Sequence, residues 1–125
     1  PRAAPADAPP PPGSVTVVTQ CSVDRLPRLR QLARAWAGPV SAALFVEGGP
    51  ASPAEEAALA AVADMQEALR AASGACQVDV ALMYGAEADA APANPSAAEY
   101  DQLYPINALR NLALDQAETE LVFLL

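Results

Sequence analysis

Apolar residues along this chain follow two periods, one typical of buried strands and one typical of amphipathic helices. Continuous or alternating apolar stretches predict four strands, near 15–19, 40–46, 78–83 and 121–125. Helical spacing between them predicts three helices, the last running from about Pro105 to Glu118. Such an alternation indicates a parallel sheet with helices on both faces, which is a doubly wound α/β fold.

Each predicted helix carries one apolar face that we expect to pack against the sheet. The positions are Leu26, Leu29, Leu32, Ala33 and Trp36 in the first helix; Leu59, Val62, Met65 or Gln66, and Leu69 in the second; and Ile106, Leu109, Leu112, Ala113 and Ala117 in the third. The last strand, 121–125, is continuously apolar and is therefore predicted to be buried as well.

Capping signals predict several helix ends. Ser52, Pro53 and Glu55 have the spacing of a capping box with proline at the first helical position. Gly74 is expected to end that helix, and Asp24 is expected to cap the first one.

Two polar groups are candidates for binding chemistry. The first is TQCS at the carboxyl end of the first strand, where Thr19, Gln20 and Ser22 offer hydroxyl and amide groups. In open α/β sheets, ligands bind at the carboxyl ends of the strands, beside a reversal of strand order. The long loop before the last helix suits such a reversal, with the first and last strands as neighbours at the centre of the sheet. Turn formation and helix capping explain Thr19 and Gln20 equally well.

The second polar group lies in the last helix, where Asn107, Arg110 and Asn111 fall outside the apolar face. A guanidinium and two amides early in a helix can hold a phosphate or sugar hydroxyls. An ordinary solvated helix face explains the same spacing.

The composition excludes several classes of protein. The net charge is −8, with no lysine or histidine, so a nucleic-acid partner is not expected. No apolar run reaches the roughly 20 residues that span a bilayer, so any membrane anchor is expected outside this segment. Cys21 and Cys76 fall at opposite ends of their strands and are expected to be unpaired thiols. No glycine-rich phosphate loop is present.

The first fourteen residues differ from the rest. PRAAPADAPPPPGS is rich in proline and alanine and lacks apolar periodicity, so residues 1–14 are predicted to be a linker or stem. Residues 15–125 then form one domain.

Three stretches carry a resemblance to a known family: VTVVTQCSVDRLPRLRQLARAWAGPVSAALFV, VDVALMY and YPINALRNLALDQAETELVFLL. In this order and spacing they resemble the opening of the LARGE-type glycosyltransferases, family 49, which includes the β-1,4-glucuronyltransferase that acts on dystroglycan. In that family an Asp-x-Asp motif follows the strand that matches Leu121–Leu125, and its carboxylates hold Mn²⁺ on the nucleotide diphosphate.

The resemblance implies the nucleotide-sugar-binding half of a GT-A fold, truncated before its metal ligands. It implies a UDP-sugar donor, plausibly of glucuronate or xylose, a glycan or glycoprotein acceptor, and a Golgi-lumenal enzyme. By the same resemblance Thr19 and Gln20 lie beside the nucleotide, and Arg110 and Asn111 lie beside the donor. Catalytic residues and Mn²⁺ ligands are expected beyond Leu125, and the fragment alone is expected to be inactive. The alternative is a non-catalytic α/β module that binds a small ligand or a protein.

Overall fold

A computed structural model describes residues 2–85 and 104–125, with side chains from Ala4 onward. The strands are β1 (Arg2–Ala4), β2 (Val15–Ser22), β3 (Val40–Val46), β4 (Val78–Tyr84) and β5 (Leu121–Leu124). The helices are α1 (Leu26–Trp36), α2 (Pro53–Ser73) and α3 (Ile106–Gln116). Nearly all of the loop predicted before α3 lies outside the described residues.

The five strands form one sheet in the order β1-β4-β3-β2-β5. β2, β3, β4 and β5 are parallel to their neighbours, as predicted, and only β1 is antiparallel. β2 and β5 are neighbours, which confirms the predicted reversal of strand order. Their predicted central position is wrong, because β5 is the last strand on its side of the sheet within the described residues.

β5 is also more exposed than its sequence predicts. Leu121, Phe123, Leu124 and Leu125 are each more than half exposed, and Val122 is 37% exposed. An apolar strand is buried only when something packs on its faces. β5 is hydrogen-bonded to β2 along one edge, and none of its residues belongs to either hydrophobic core of the described structure.

β2 extends three residues past its predicted end at Thr19. The extension is possible because β3 continues alongside, pairing Cys21 with Leu44 and Ser22 with Phe45. Thr19 and Gln20 therefore lie within a strand, where their side chains alternate between the two faces of the sheet.

Two hydrophobic cores lie on opposite faces of the sheet, as expected for this fold class. α1 and α2 cover one face, which includes Val17, Leu44 and Val80. α3 covers the other through Leu109 and Ala113. β3 is buried at every position.

Most of the predicted helix faces are confirmed, and the exceptions have a geometric cause. Leu59 is 37% exposed because Ala58, one position earlier, shares the buried stripe with Val62. Trp36, in the last turn of α1, is 41% exposed, and Ile106, in the first turn of α3, is 39% exposed.

The predicted ends of α2 are confirmed. The Glu55 backbone N–H donates to Ser52 Oγ at 3.2 Å, and Glu55 Oε1 accepts from the Ala51 N–H at 3.0 Å. Gly74 closes the helix with φ of 86°. The predicted cap of α1 is wrong: Asp24 lies inside a short 3-10 turn, Val23–Arg25, and α1 has no side-chain cap.

The first part of the amino-terminal segment, residues 2–7, packs on the domain. Arg2–Ala4 pair with β4, and the Asp7 carboxylate accepts from Arg70 Nη2 at 2.8 Å and from the Cys76 backbone N–H at 2.6 Å. The segment follows the sheet edge because β4 presents backbone groups there that need partners. A stem role for residues 1–14 in a longer protein stays a prediction.

Candidate functional site

An open cleft of about 580 Å³ lies at the carboxyl end of β2, where the order of the strands reverses. From β2 the chain crosses to β3 and β4 on one side through α1 and α2, whereas β5 pairs with β2 on the other side. A cleft opens at such a point because the connections that follow the two neighbouring strands leave in opposite directions.

All three polar residues predicted from TQCS line this cleft. Thr19 and Gln20 are half-buried and point to opposite faces of the sheet, so the cleft wraps around the edge of β2. The Tyr104 hydroxyl, just before α3, donates a hydrogen bond to Gln20 Oε1. The structure thus brings an amide, a hydroxyl and a phenol to one place.

Phe45 holds Tyr104 in position. The two rings meet edge to face, with centroids 5.3 Å apart and planes at 78°. Phe45 is itself 2% exposed, and Gly85 lies directly against it. A Cβ atom at Gly85 would be 2.0 Å from Phe45 Cζ, so only glycine fits beside this ring.

Arg25 and Arg28 add positive charge to the cleft. Arg25 is paired with Asp24, with Nε and Oδ2 3.7 Å apart. Ser22 donates to Asp24, and this hydrogen bond, together with Arg25, lowers the pKa of the Asp24 carboxyl. Arg28 has no ion pair among the residues that the structure describes, so its charge is available to an anionic ligand.

Sequence reasoning missed Arg25, Arg28 and Tyr104. Both arginines are exposed, as charged residues of a surface helix usually are. Their closeness in sequence to TQCS was the available signal, because the turn after β2 necessarily begins beside the cleft. Tyr104 had no such signal, since 84 residues separate it from Gln20.

Cys21 lines the cleft without the properties of a nucleophile. Burial, and then the nearby Asp24 carboxylate, raise the pKa of its thiol to about 11. The thiol stays protonated at neutral pH, and only the thiolate is strongly nucleophilic. Cys21 and Cys76 are both unpaired, as predicted.

Arg110 and Asn111 do not line the cleft with Thr19 and Gln20. Both are exposed on α3, one and two positions after the buried Leu109. Their predicted contact with a donor stays a prediction.

The described residues do not supply a metal site of their own. No group of three carboxylate or cysteine side chains converges within 2–85 and 104–125. The acidic residues lining the cleft are Asp24 and Glu47. This set does not fit Mn²⁺, which prefers several oxygen ligands around one point.

A second cavity, of about 640 Å³, lies between α1 and α2 and is lined by Leu26, Arg30, Ala61 and Met65. It is lined mostly by side chains of α1 and α2 and contains no residue of a β-strand, whereas the cleft is lined by the last residues of β2. The cleft at the strand reversal is the candidate site. Among the described cavities, it alone combines the carboxyl end of a strand with hydroxyl, amide and arginine side chains.

Comparison with protein families matches residues 14–100 to the family described as "Glycosyl-transferase for dystroglycan". This match covers more than half of the chain. The chain belongs to this glycosyltransferase family.

Relatives of this glycosyltransferase segment agree with that assignment. It is 38% identical over 121 residues to human xylosyl- and glucuronyltransferase LARGE2, covering 96% of the segment and 14% of the relative. The chicken LARGE2s transferase is 36% identical over 115 residues, 92% of the segment and 13% of the relative. A Dictyostelium discoideum glycosyltransferase-like protein, gnt13, is 30% identical over 111 residues, 89% of the segment and 15% of the relative.

The segment therefore spans only about a seventh of the length of these relatives. Among its described residues, no helix combines the length and the apolar character that crossing a bilayer requires.

Proposed function

We propose that this segment forms the donor-nucleotide half of a GT-A glycosyltransferase, which in the full-length protein moves a sugar from a UDP-sugar to a glycan acceptor. The observation that carries the proposal is the cleft at the reversal of strand order, lined by Thr19 and Gln20 and flanked by Arg25 and Arg28. Ligands of α/β sheets bind at this position, and the family relationship supports a sugar nucleotide as the ligand.

Four polar side chains of the cleft would contact different parts of the donor. The Thr19 hydroxyl and the Gln20 amide can form hydrogen bonds to the base or the ribose. Arg25 and Arg28 favour the diphosphate by charge, and guanidinium–phosphate hydrogen bonds are stronger than neutral ones. Together these groups orient the donor; transfer itself needs groups from the rest of the protein.

Xylose and glucuronate are the sugars that we propose for the donor. The named relatives are xylosyl- and glucuronyltransferases, and the family match covers β2 and α1, which supply most of the residues that line the cleft.

We also propose that Mn²⁺ acts in the full-length enzyme, held by residues that follow Leu125. Leu125 lines the cleft, so residues directly after it would enter the same space. A divalent cation there would neutralise charge on the departing diphosphate. By family resemblance we propose the Golgi lumen as the location, with any membrane anchor outside this segment.

A transfer assay on the full-length protein tests the proposal. UDP-xylose and UDP-glucuronate would be supplied with a glycan acceptor, and Thr19→Val and Gln20→Met would be compared with Arg34→Ala, which lies outside the cleft. We expect transfer from at least one donor, and each cleft variant should raise KM for the donor about three- to tenfold, as loss of one hydrogen bond predicts.

Absence of both transfer and UDP binding, in a protein shown to be folded, would contradict the proposal. That result would favour the non-catalytic binding module.

A further inference from the structure

We propose that Tyr104 is a positioning residue that fixes the orientation of the Gln20 amide and so directs its N–H groups to the donor. This inference rests on the proposed function, because it names how one side chain of that site is held. Tyr104 would act through Gln20 and need not contact the ligand.

The geometry gives Tyr104 one orientation. Its ring packs edge to face on Phe45, which is almost fully buried and cannot easily move. Its hydroxyl then reaches Gln20 across the face of the sheet that α3 covers. The packing of the ring thus sets the position of the Tyr104 hydroxyl, and the hydrogen bond from this hydroxyl sets the orientation of the Gln20 amide.

The hydrogen bond decides which end of the amide remains available. Gln20 Oε1 accepts from Tyr104, so the amide nitrogen must point the other way. That nitrogen has no partner among the described residues and is not buried. Since Gln20 lines the cleft, its two N–H groups are available to an acceptor there.

The phenol can keep this donor role at neutral pH. Burial raises the pKa of Tyr104, and Cys21 and Asp24 raise it further. The hydroxyl therefore stays protonated and continues to donate to Gln20 Oε1.

Two free amide N–H groups select a ligand that presents oxygen acceptors. The base carbonyls and ribose hydroxyls of a uridine nucleotide are such acceptors. Without the Tyr104 hydroxyl, the amide could turn by half a rotation and present its oxygen instead, which would repel a base carbonyl of the ligand.

A double-mutant cycle on the full-length protein tests the inference. The variants are Tyr104→Phe, which keeps the ring on Phe45, Gln20→Met, which keeps the length of the side chain, and the pair together. UDP affinity would be measured by titration calorimetry, and the melting temperature of each variant would be recorded.

We expect Tyr104→Phe alone to weaken UDP binding about three- to tenfold, the loss typical of one neutral hydrogen bond. In the Gln20→Met background the same change should alter affinity less than about twofold, because no amide is left to orient. An equal loss in both backgrounds would overturn the inference, since Tyr104 would then act independently of Gln20. Unchanged affinity in Tyr104→Phe would overturn it as well.

A failure of the proposed function can be told apart from a failure of this inference, because it changes UDP binding by the parent protein itself. If the parent protein does not bind UDP, the proposed function fails, and the orientation of the amide is then tested by NMR of this chain labelled with ¹⁵N-glutamine. The Gln20 side-chain signals, assigned by their loss in Gln20→Met, should shift in Tyr104→Phe if the hydroxyl holds the amide. Unshifted signals would overturn the positioning role whatever the ligand.

Discussion

Leu125 donates its backbone N–H to the carbonyl oxygen of Val18 at 2.9 Å, which ties the end of β5 to the middle of β2. The next two residues of β2, Thr19 and Gln20, line the cleft. The pairing of β5 with β2 thus sets both the reversal of strand order and the position of the candidate site beside it.

Replacing Gly85 by alanine should destabilise the domain. The new Cβ would lie 2.0 Å from Phe45 Cζ, and the buried ring has little room to move. Overpacking of this kind typically costs about 1–3 kcal/mol. Gly49→Ala is the matched control, because nothing lies within 4 Å of a Cβ there, and it should change stability by less than about 0.5 kcal/mol. Urea unfolding of the two variants measures the difference; equal midpoints would mean that Phe45 relocates freely.

The Asp7 carboxylate should make the domain sensitive to acid. Hydrogen bonds from Arg70 and from the Cys76 backbone N–H lower the pKa of Asp7 to about 2, below its ordinary value of 3.8. Because the unfolded chain binds the proton more readily, the stabilisation is complete above about pH 4 and is lost as the pH falls toward 2.

Asp7→Asn provides the comparison for this acid dependence. We expect its urea midpoint to lie below that of the parent chain at pH 7, with the gap narrowing between pH 4 and pH 2. A gap that stays constant with pH would show that the charge of Asp7 contributes nothing.

The exposed β5 strand should make this 125-residue chain associate in solution. Leu121, Phe123 and Leu124 are all more than half exposed, and an unpaired apolar edge strand is a template for another chain. Phe123→Lys should shift sedimentation velocity profiles toward the monomer. Leu59→Lys, on the exposed side of α2, removes a leucine of similar apolar character and should leave association unchanged. Similar profiles for both variants would place the association elsewhere.

Two arginines of α1, Arg28 and Arg34, should differ in how much they contribute to UDP affinity. In the full-length protein, Arg28→Ala should weaken UDP binding about ten- to a hundredfold, because a charge-assisted hydrogen bond to phosphate is lost. Arg34→Ala should change it less than about twofold, since Arg34 lies outside the cleft.

Arg110 has its own expected outcome in the same titration. The family resemblance predicts that Arg110→Ala weakens the donor complex more than Arg34→Ala does. If the Arg110 and Arg34 variants bind UDP equally well, Arg110 belongs to the solvated face of α3. This agrees with the exposure of its side chain.

Periodicity was enough to predict the fold, because strands and helices each bury one repeating set of positions. It predicted parallel pairing and the buried positions Val62 and Leu109, and the long loop before α3 predicted that β2 and β5 are neighbours. It could not predict that β5 would be exposed, since burial of Leu121 depends on what packs against it and not on its own apolar character. It also missed β1, whose three residues pair with β4 through backbone groups that any sequence provides.

The site was predicted only where it is local in sequence. Thr19 and Gln20 could be placed at the carboxyl end of β2 because a strand end is visible in the pattern. Tyr104 could not, since its contact with Gln20 depends on how α3 crosses the sheet and on the room that Gly85 leaves for Phe45.

An NMR titration of this 125-residue chain with UDP tests the central claim most directly, because it detects weak binding and locates it. We predict that the largest amide shifts occur at the cleft, at Thr19, Gln20 and Leu125, and that Ala61 and Met65, in the cavity between α1 and α2, stay unchanged. Shifts centred on Ala61 and Met65, or no shifts at millimolar UDP in a folded chain, would contradict the claim that the cleft at the strand reversal binds the nucleotide.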